Sequence, residues 1–224
     1  MIRIGRSKQK CLREIDKMLM NKIKWIFFDI GSTLVDESAV YENRIEEITQ
    51  GDHIDKNEFV AKVIQRAQTD PRPIVSVAEN YGVKVPEWRH DLETLYPDTK
   101  ELLQRLSPKY KIGIIANQDF GTEQRLTDFN VRQYTDIIIA SAEEGVAKPD
   151  LWIFRIALNR ADCKPEEAVM IGDRIDNDII PANKIGMTTV WIKQGFGSYA
   201  EPKTVEEQPD YIVNSLAEIT EVFR

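Results

Sequence analysis

The sequence predicts a doubly wound α/β fold, in which helices cover both faces of a parallel sheet. Five short apolar runs, with a sixth candidate near the end, alternate with helical patterns along most of the chain. These runs are continuously apolar, as expected for strands that are buried on both faces. One long connection after the first run contains three successive helical patterns and no further strand-like run. We therefore expect a parallel-sheet core that carries a small helical domain as an insertion.

The predicted strands are short and separated by recognisable helix starts. They are Trp25–Phe28, Ile112–Ala116, Ile137–Ala140, Ala168–Ile171 and Thr189–Ile192, with Tyr211–Val213 as the sixth candidate. Asp98 and Glu101 have the spacing of a capping box before an apolar stripe. Thr122 is a suitable N-cap for the next helix, and Pro149 with Asp150 begins another.

The segment 36–95 is predicted to form a helical cap. Its first helix has Val40, Tyr41, Ile45 and Ile48 on one face, its second follows a capping box at Asp55 and Glu58, and its third ends at Gly82. We divide the chain into an N-terminal extension (1–20), which could include a short helix around Cys11–Met20, a core (21–35 and 96–224) and the cap (36–95). We expect the cap to cover the carboxyl ends of the strands as a movable lid, with hinges near Val35–Glu37 and Tyr96–Asp98.

The composition excludes several classes of function. A net charge of −7 argues against a nucleic-acid-binding protein, which usually has a basic face. The apolar runs are far shorter than the ~20 residues needed to span a bilayer. Cys11 and Cys163 are the only cysteines, so neither a zinc site nor a disulfide framework is expected, and a cytoplasmic location fits best. The oligomeric state stays open.

Chemically useful side chains follow the predicted strands. Asp29 ends the first strand, Asn117 follows the second, Lys148 comes after the third, and Asp173 and Asp178 follow the fourth. Because ligands of open α/β sheets bind at the carboxyl ends of the strands, these residues should meet at one edge. Carboxylates, an amide and a lysine are the groups that a divalent cation and an anionic ligand require.

Four of these segments resemble the motifs of the haloacid dehalogenase (HAD) superfamily. The family has Asp-x-Asp-x-Thr after the first strand, Ser or Thr after the second, then Lys, then Gly-Asp with a further Asp. Here the segments are Asp29-Ile30-Gly31-Ser32-Thr33, Ala116-Asn117, Lys148-Pro149 and Gly172-Asp173-Arg174-Ile175-Asp176-Asn177-Asp178. Their order, spacing and strand context agree with the family over roughly residues 21–213. The resemblance implies a Rossmann-like core, a helical cap after the first motif and a phosphatase-type hydrolase.

The resemblance also implies a role for the matched residues. Asp29 corresponds to the nucleophile, which attacks phosphorus and becomes an aspartyl-phosphate. Lys148 would pair with Asp29 and with the phosphate. Mg²⁺ would be held by Asp29, the carbonyl oxygen of Gly31 and Asp173, with Asp178 as a further acid of the metal site. The expected ligands are Mg²⁺ and a small phosphorylated metabolite, with neither nucleic acid nor membrane as a partner.

Two positions depart from the family pattern. Gly31 stands where the family has the aspartate that acts as general acid and base, a function typically worth ~10²–10⁴ in rate. Ala116 replaces the hydroxyl residue that binds phosphate, although the backbone N–H of Asn117 could still hold a phosphate oxygen. An aspartate introduced at position 31 is expected to help alkyl phosphates more than aryl phosphates.

Three functions remain open, in this order. The first is a weakened or specialised phosphatase that takes its proton from the cap or the substrate, or prefers good leaving groups. The second is a HAD-fold binding or regulatory protein that does not turn over. The third is a haloacid dehalogenase, disfavoured because carbon–halogen displacement needs no Mg²⁺ and the metal motif is intact. We expect surface or packing roles for His53 and His90, and a place in the cap core for Trp88.

Overall fold

The computed structural model describes residues 20–51 and 53–223 and contains a parallel sheet with helices on both faces. The strands are β1 (Trp25–Phe28), β2 (Val35–Asp36), β3 (Thr94–Leu95), β4 (Lys111–Ala116), β5 (Ile137–Ala140), β6 (Ala168–Gly172), β7 (Thr188–Ile192) and β8 (Tyr211–Val213). The helices are α1 (Ser38–Gly51), α2 (Lys56–Ala67), α3 (Pro73–Tyr81), α4 (Thr99–Leu106), α5 (Thr122–Asp128), α6 (Ser141–Glu144), α7 (Leu151–Arg160), α8 (Ile180–Ile185) and α9 (Leu216–Val222). A π-helical turn, Ile175–Ile179, runs directly into α8.

The main sheet has the strand order β5-β4-β1-β6-β7-β8, and every adjacent pair is parallel. The strand predictions are confirmed, with ends that move by one residue in β4, β6 and β7. Phe28 at the end of β1 lies opposite Ile114 of β4 and Ile171 of β6. The chain leaves β1 for β4 on one side and returns to β6 on the other. The carboxyl ends of these three strands therefore form the switch point at which such sheets bind ligands.

The two faces of the sheet carry separate hydrophobic clusters, because successive side chains of a strand point to opposite sides. Phe28 and Ile171 belong to the cluster that α4 and α9 cover. Phe27 and Met170, their neighbours in sequence, belong to the cluster that α7 and α8 cover. Burial on both faces thus explains the continuous apolar runs. The register of the sheet fixes the ends of β1, β4 and β6 relative to one another.

The helices α1, α2 and α3 form a layer whose hydrophobic cluster includes buried Phe59 and Val63, and Phe196 from outside the segment 36–95 packs against it. The chain enters and leaves this layer through a short antiparallel ribbon in which β2 pairs with β3. The expectation of no further strand up to about Leu95 is therefore wrong, since β3 is a two-residue strand. Just beyond the ribbon, the Thr99 hydroxyl donates to the carbonyl oxygen of Leu34 over 2.7 Å. This hydrogen bond fastens the exit of the layer to its entry.

The helix-end predictions are confirmed in part. Asp55 and Asp150 accept hydrogen bonds from backbone N–H groups at the starts of α2 and α7, and Gly82 ends α3 with a left-handed backbone. The cap predicted at Asp98 is wrong, because its helical backbone (φ −90°, ψ −2°) leaves the side chain without a cap bond. Thr122 is also not an N-cap, since its hydroxyl donates to a carbonyl oxygen three residues earlier.

The helix predicted around Cys11–Met20 falls outside the described residues, apart from Met20. Within the described part of the chain, none of the helices has the length and apolar character needed to cross a membrane.

Candidate active site

A cavity of about 600 Å³ lies between the carboxyl edge of the sheet and the helical layer. Its walls include residues that directly follow β1, β4 and β6 and residues of the segment 36–95. The residues on the core side are Asp29, Gly31, Ser32, Asn117, Gln118, Asp119, Ser141, Lys148, Pro149, Asp173, Arg174 and Asn177. The residues from the helical layer and its ends are Glu37, Tyr41, Pro71, Arg72, Trp88 and His90. The predicted strand-end residues Asp29, Asn117, Lys148 and Asp173 thus meet at one place.

Lys148 belongs to a group of buried charged residues that we call the floor of the cavity, namely Asp29, Lys148, Asp173 and Asp178. Its Nζ is 2.7 Å from Oδ1 of Asp29 and 2.6 Å from Oδ1 of Asp178, and its side chain is only 2% exposed. Burial alone would lower the pKa of Lys148, but the charges of Asp178 and Asp29 outweigh it and raise the pKa above its usual value. The lysine is therefore held as a cation beside Asp29.

Asn117 positions Lys148 through its side chain. Its Oδ1 accepts the backbone N–H of Lys148 over 2.7 Å, and its Nδ2 donates to the carbonyl oxygen of Lys148 over 2.9 Å. Ala116, the other residue expected near phosphate, is fully buried and does not line the cavity. Asn117 thus has a positioning contact that the sequence did not predict.

The carboxylates of Asp29, Asp173 and Asp178 form one buried group, with ligand oxygens within 4.8 Å of one another. Burial raises the pKa of Asp173 well above its usual value, and the charges of Asp178 and Asp29 add to the effect. Burial likewise raises the pKa of Asp178 to about 7, although Lys148 opposes it. Burial thus opposes ionisation of Asp173 and Asp178, and a bound cation would compensate the charge of the three carboxylates beside a single lysine. This donor set suits a hard divalent cation such as Mg²⁺.

Asp178 supports its neighbours as well as adding charge. Oδ1 accepts from Lys148, and Oδ2 accepts the backbone N–H of Arg174 over 2.9 Å. A side chain at position 172 would collide with it, since a Cβ there would lie 2.7 Å from the Cβ of Asp178. Gly172 is thus needed for the close approach of the two segments. The glycine of the Gly-Asp motif has a steric reason in this structure.

Glu37 is a site residue that the sequence did not reveal. It precedes α1, is 7% exposed and lines the cavity beside Asp29. The Tyr41 hydroxyl donates to its Oε2 over 2.8 Å, and the Ser32 hydroxyl donates to the same oxygen over 3.0 Å. Burial raises the pKa of Glu37 to about 7, although both hydroxyl groups oppose it. A buried carboxyl group therefore faces the reaction space from the entry of the helical layer.

Trp88 and His90 form part of the wall above the floor. Trp88 Nε1 donates to Oε1 of Glu93 over 2.6 Å, and Nδ1 of His90 lies 2.9 Å from the same oxygen. The ring of Tyr41 meets Trp88 edge-on at 5.4 Å. The expectation that Trp88 belongs to the cap core is wrong, because it is half-buried and lines the cavity. His90 also lines it, whereas His53 is exposed elsewhere.

Comparison with known proteins gives the family. The HAD-hydrolase-like family model matches residues 145–219. A glyceraldehyde 3-phosphate phosphatase of Pyrococcus furiosus is 32% identical over 227 residues, which cover 91% of this chain and 94% of that protein. A phosphoserine phosphatase of Thermus thermophilus is 32% identical over 128 residues, covering 56% of this chain and 49% of that protein. The solved structure of the putative HAD-hydrolase YfnB of Bacillus subtilis, bound to magnesium, has a TM-score of 0.69 at 18% identity, covering 90% of this chain and 99% of that one.

The fold, the strand-end residues and these similarities define a phosphatase-type hydrolase with a Rossmann-like α/β core. The chain belongs to the HAD superfamily. The family, the fold class and the enzyme class predicted from the sequence are confirmed.

Proposed function

We propose that the protein is a Mg²⁺-dependent phosphatase that hydrolyses a small phosphorylated metabolite through an aspartyl-phosphate at Asp29. The observation that carries this proposal is the buried group of Asp29, Lys148, Asp173 and Asp178, of which all but Asp178 line the cavity. A nucleophilic carboxylate, a fixed cation and two further acids at a strand switch point are what phosphoryl transfer to an aspartate requires.

The carboxylate of Asp29 would attack phosphorus while the bond to the leaving oxygen breaks. Both partners are negatively charged, so catalysis depends on positive charge placed where they meet. Lys148 provides such a charge at 2.7 Å from the nucleophile, and Asn117 fixes the backbone that carries it. We assign the phosphate oxygens to Lys148 and the backbone N–H of Asn117, beside Ala116. Because the side chain of Ala116 has no hydroxyl group, the hydrogen bond to a phosphate oxygen at this position would come from the backbone.

We assign Mg²⁺ to Asp29, Asp173 and the carbonyl oxygen of Gly31, with Asp178 as the third carboxylate around it. The close grouping of these buried acids supports the assignment, because their ionised forms repel one another unless a cation lies between them. The bound ion would supply positive charge to the phosphoryl oxygens. Because Gly31 contributes a backbone oxygen, the absence of a side chain there leaves this role intact.

The substrate class follows from the size of the cavity and from the relatives. About 600 Å³ accommodates a small metabolite, and the relatives named for glyceraldehyde 3-phosphate and phosphoserine act on three-carbon phosphate esters. Arg72, Trp88 and His90 are the parts of the wall that would contact the organic portion. We expect neither nucleic acid nor membrane as a partner, and a cytoplasmic location in keeping with the cysteine content.

The segment 36–95 would act as a movable cap over the core formed by 21–35 and 96–224. Its hydrophobic cluster and its two-stranded connection support such a role, and Phe196 is the core residue packed against that cluster that would have to separate from it. The magnesium-bound YfnB structure is described as revealing interdomain movement in that protein.

The test is phosphate release from p-nitrophenyl phosphate, glyceraldehyde 3-phosphate and phosphoserine, with Mg²⁺ and after treatment with EDTA. We expect hydrolysis of at least one ester with Mg²⁺ and its loss with EDTA. Asp29→Asn should lower kcat by about 10⁴-fold or more, as expected for a missing nucleophile. Release that persists in EDTA, or in Asp29→Asn, would contradict the proposal. No release from any ester, with a phosphate analogue still bound, would favour the binding protein instead.

A further inference from the structure

The space that a side chain at position 31 would fill is already taken by Glu37. A Cβ built on Gly31 would lie 2.8 Å from Cδ of Glu37 and 3.0 Å from its Oε2, with Oε1 nearer still. These separations are far below ordinary van der Waals contact. The carboxyl group of Glu37 therefore occupies the volume into which an aspartate at position 31 would project.

The two oxygens of Glu37 have different surroundings. Oε2 accepts hydrogen bonds from the hydroxyl groups of Ser32 and Tyr41, which fix the orientation of the carboxyl group. Oε1 accepts no hydrogen bond from the described residues and is the atom closest to position 31. Glu37 and Asp29 line the same cavity. One oxygen is thus anchored, and the other is left for a ligand beside the nucleophile.

We propose that Glu37 is the general acid and base of this phosphatase and replaces the side chain that Gly31 lacks. The proposal rests on the function proposed for Asp29. As Asp29 attacks phosphorus, the bond from phosphorus to the leaving oxygen breaks, and that oxygen takes the proton of the Glu37 carboxyl group. The alcohol departs, and Glu37 is left as a carboxylate.

The second step restores both residues. The Glu37 carboxylate takes a proton from water while the water oxygen attacks phosphorus and the bond to the Asp29 oxygen breaks. Inorganic phosphate, the Asp29 carboxylate and the protonated Glu37 are the products. One acid, delivered from the entry of the helical layer, thus serves both half-reactions.

This arrangement changes the expected effect of an aspartate at position 31. With Glu37 present, Gly31→Asp would force two carboxyl groups into one volume, so the improvement expected from the sequence should not appear in the single variant. The carboxyl group must instead be moved, by combining Gly31→Asp with Glu37→Ala. That double variant places a carboxyl group at position 31, where the family has it, and removes the Glu37 carboxyl group that would collide with it.

The experiment compares Glu37→Gln, Glu37→Ala and Gly31→Asp/Glu37→Ala with the wild type. Glu144→Gln is the matched control, since Glu144 has a side chain that is 9% exposed, pairs with Arg160 and lies outside the cavity. The probes are p-nitrophenyl phosphate and glyceraldehyde 3-phosphate, both with Mg²⁺. The measured quantities are KM, kcat and the first-turnover rate of leaving-group release, and melting curves confirm that each variant is folded.

Glu37→Gln and Glu37→Ala should lower the first-turnover rate with glyceraldehyde 3-phosphate by about 10²–10⁴-fold, with KM changed little. The rate with p-nitrophenyl phosphate should fall much less, because p-nitrophenolate leaves without a proton. Gly31→Asp/Glu37→Ala should recover at least about tenfold over Glu37→Ala with the alkyl ester. Equal losses of the first-turnover rate with both esters would overturn the role of Glu37. A folded double variant in which this rate does not recover with the alkyl ester would overturn it as well. If the wild type hydrolyses none of p-nitrophenyl phosphate, glyceraldehyde 3-phosphate and phosphoserine, the proposed phosphatase function itself fails.

Discussion

The floor and the wall of the cavity differ in how closely they follow the HAD pattern. On the floor, Asp29, Lys148, Asp173 and Asp178 match the motifs residue by residue, and the fold brings all four together. On the wall, Gly31 departs from the pattern. The carboxyl group of Glu37, at the start of the helical layer, occupies the volume that a side chain at position 31 would fill. The buried charges of this site thus follow strand ends, whereas the acid that we propose as the proton donor lies at the start of the helical layer.

The physical reason lies in what positions each part. The floor residues follow β1, β5 and β6, whose register is fixed by the sheet, and the charge of Lys148 compensates those of Asp29 and Asp178. The wall residue Glu37 is held by two hydroxyl groups and by the first turn of α1. A change on the floor should therefore affect stability and metal binding, whereas a change on the wall should affect proton transfer.

The largest effect on stability is expected for Lys148→Met. This change removes the cation that pairs with the buried carboxylates of Asp29 and Asp178, which should lower the free energy of unfolding in EDTA by about 3–5 kcal/mol. Urea unfolding measures the difference. Lys111→Met is the control, because Lys111 pairs with Asp136 at the surface with 64% of its side chain exposed and should contribute about 0–1 kcal/mol. Similar losses of unfolding free energy in the two variants would show that the buried acids do not depend on Lys148 for charge compensation.

A smaller effect is expected from Mg²⁺ itself. An ion that binds only the folded protein stabilises it by about 2.7 kcal/mol at one hundred times its dissociation constant, which raises the Tm. Asp173→Asn should reduce this rise, since it removes a carboxylate ligand.

Asp176→Asn provides the control for that measurement. Asp176 lies three residues after Asp173 in the π-helical turn, but it pairs with Arg174 and its side chain is 38% exposed, so the rise in Tm should be preserved. A Tm that does not respond to Mg²⁺ in the wild type, or an equal response in Asp173→Asn, would contradict the metal assignment.

The smallest effect is expected for Tyr41→Phe, which tests the wall. It removes one of the two donors to Oε2 of Glu37 and keeps the ring against Trp88. Loss of about 1 kcal/mol of hydrogen bonding should lower the first-turnover rate of leaving-group release about fivefold with glyceraldehyde 3-phosphate and less with p-nitrophenyl phosphate. Tyr134→Phe, at an exposed hydroxyl outside the cavity, is the control. Equal losses with the two esters would show that Tyr41 does not act through Glu37.

The fold could be predicted well because its strands are buried on both faces. A continuous apolar run such as Ile137–Ala140 is favoured in a strand that is buried on both faces, and its predicted bounds agree with those of β5. Local details were less predictable. Asp98 has the residue type of an N-cap but a helical backbone, and β3 is a strand of two residues that no periodicity can reveal.

The floor of the site was predictable because strand-end motifs are read directly from the sequence. Glu37 was not, since an acid shortly before a helix is an ordinary feature of helix starts. Its importance comes from tertiary packing against Gly31, six residues earlier, and from the hydroxyl of Tyr41 one turn later. A glycine at the acid position followed by a nearby glutamate is a signal that could be sought in related sequences.

The most direct test of the account is the fate of the phosphoryl group in Glu37→Gln. The variant is mixed with p-nitrophenyl phosphate and Mg²⁺, quenched in acid and mapped by peptide mass spectrometry. Attack by Asp29 should proceed, but hydrolysis of the aspartyl-phosphate should stall without a base. The account predicts a burst of about one p-nitrophenol per chain and a phosphoryl group on Asp29. A wild type that is active, together with a variant that shows no burst and no phosphorylated Asp29, would contradict it.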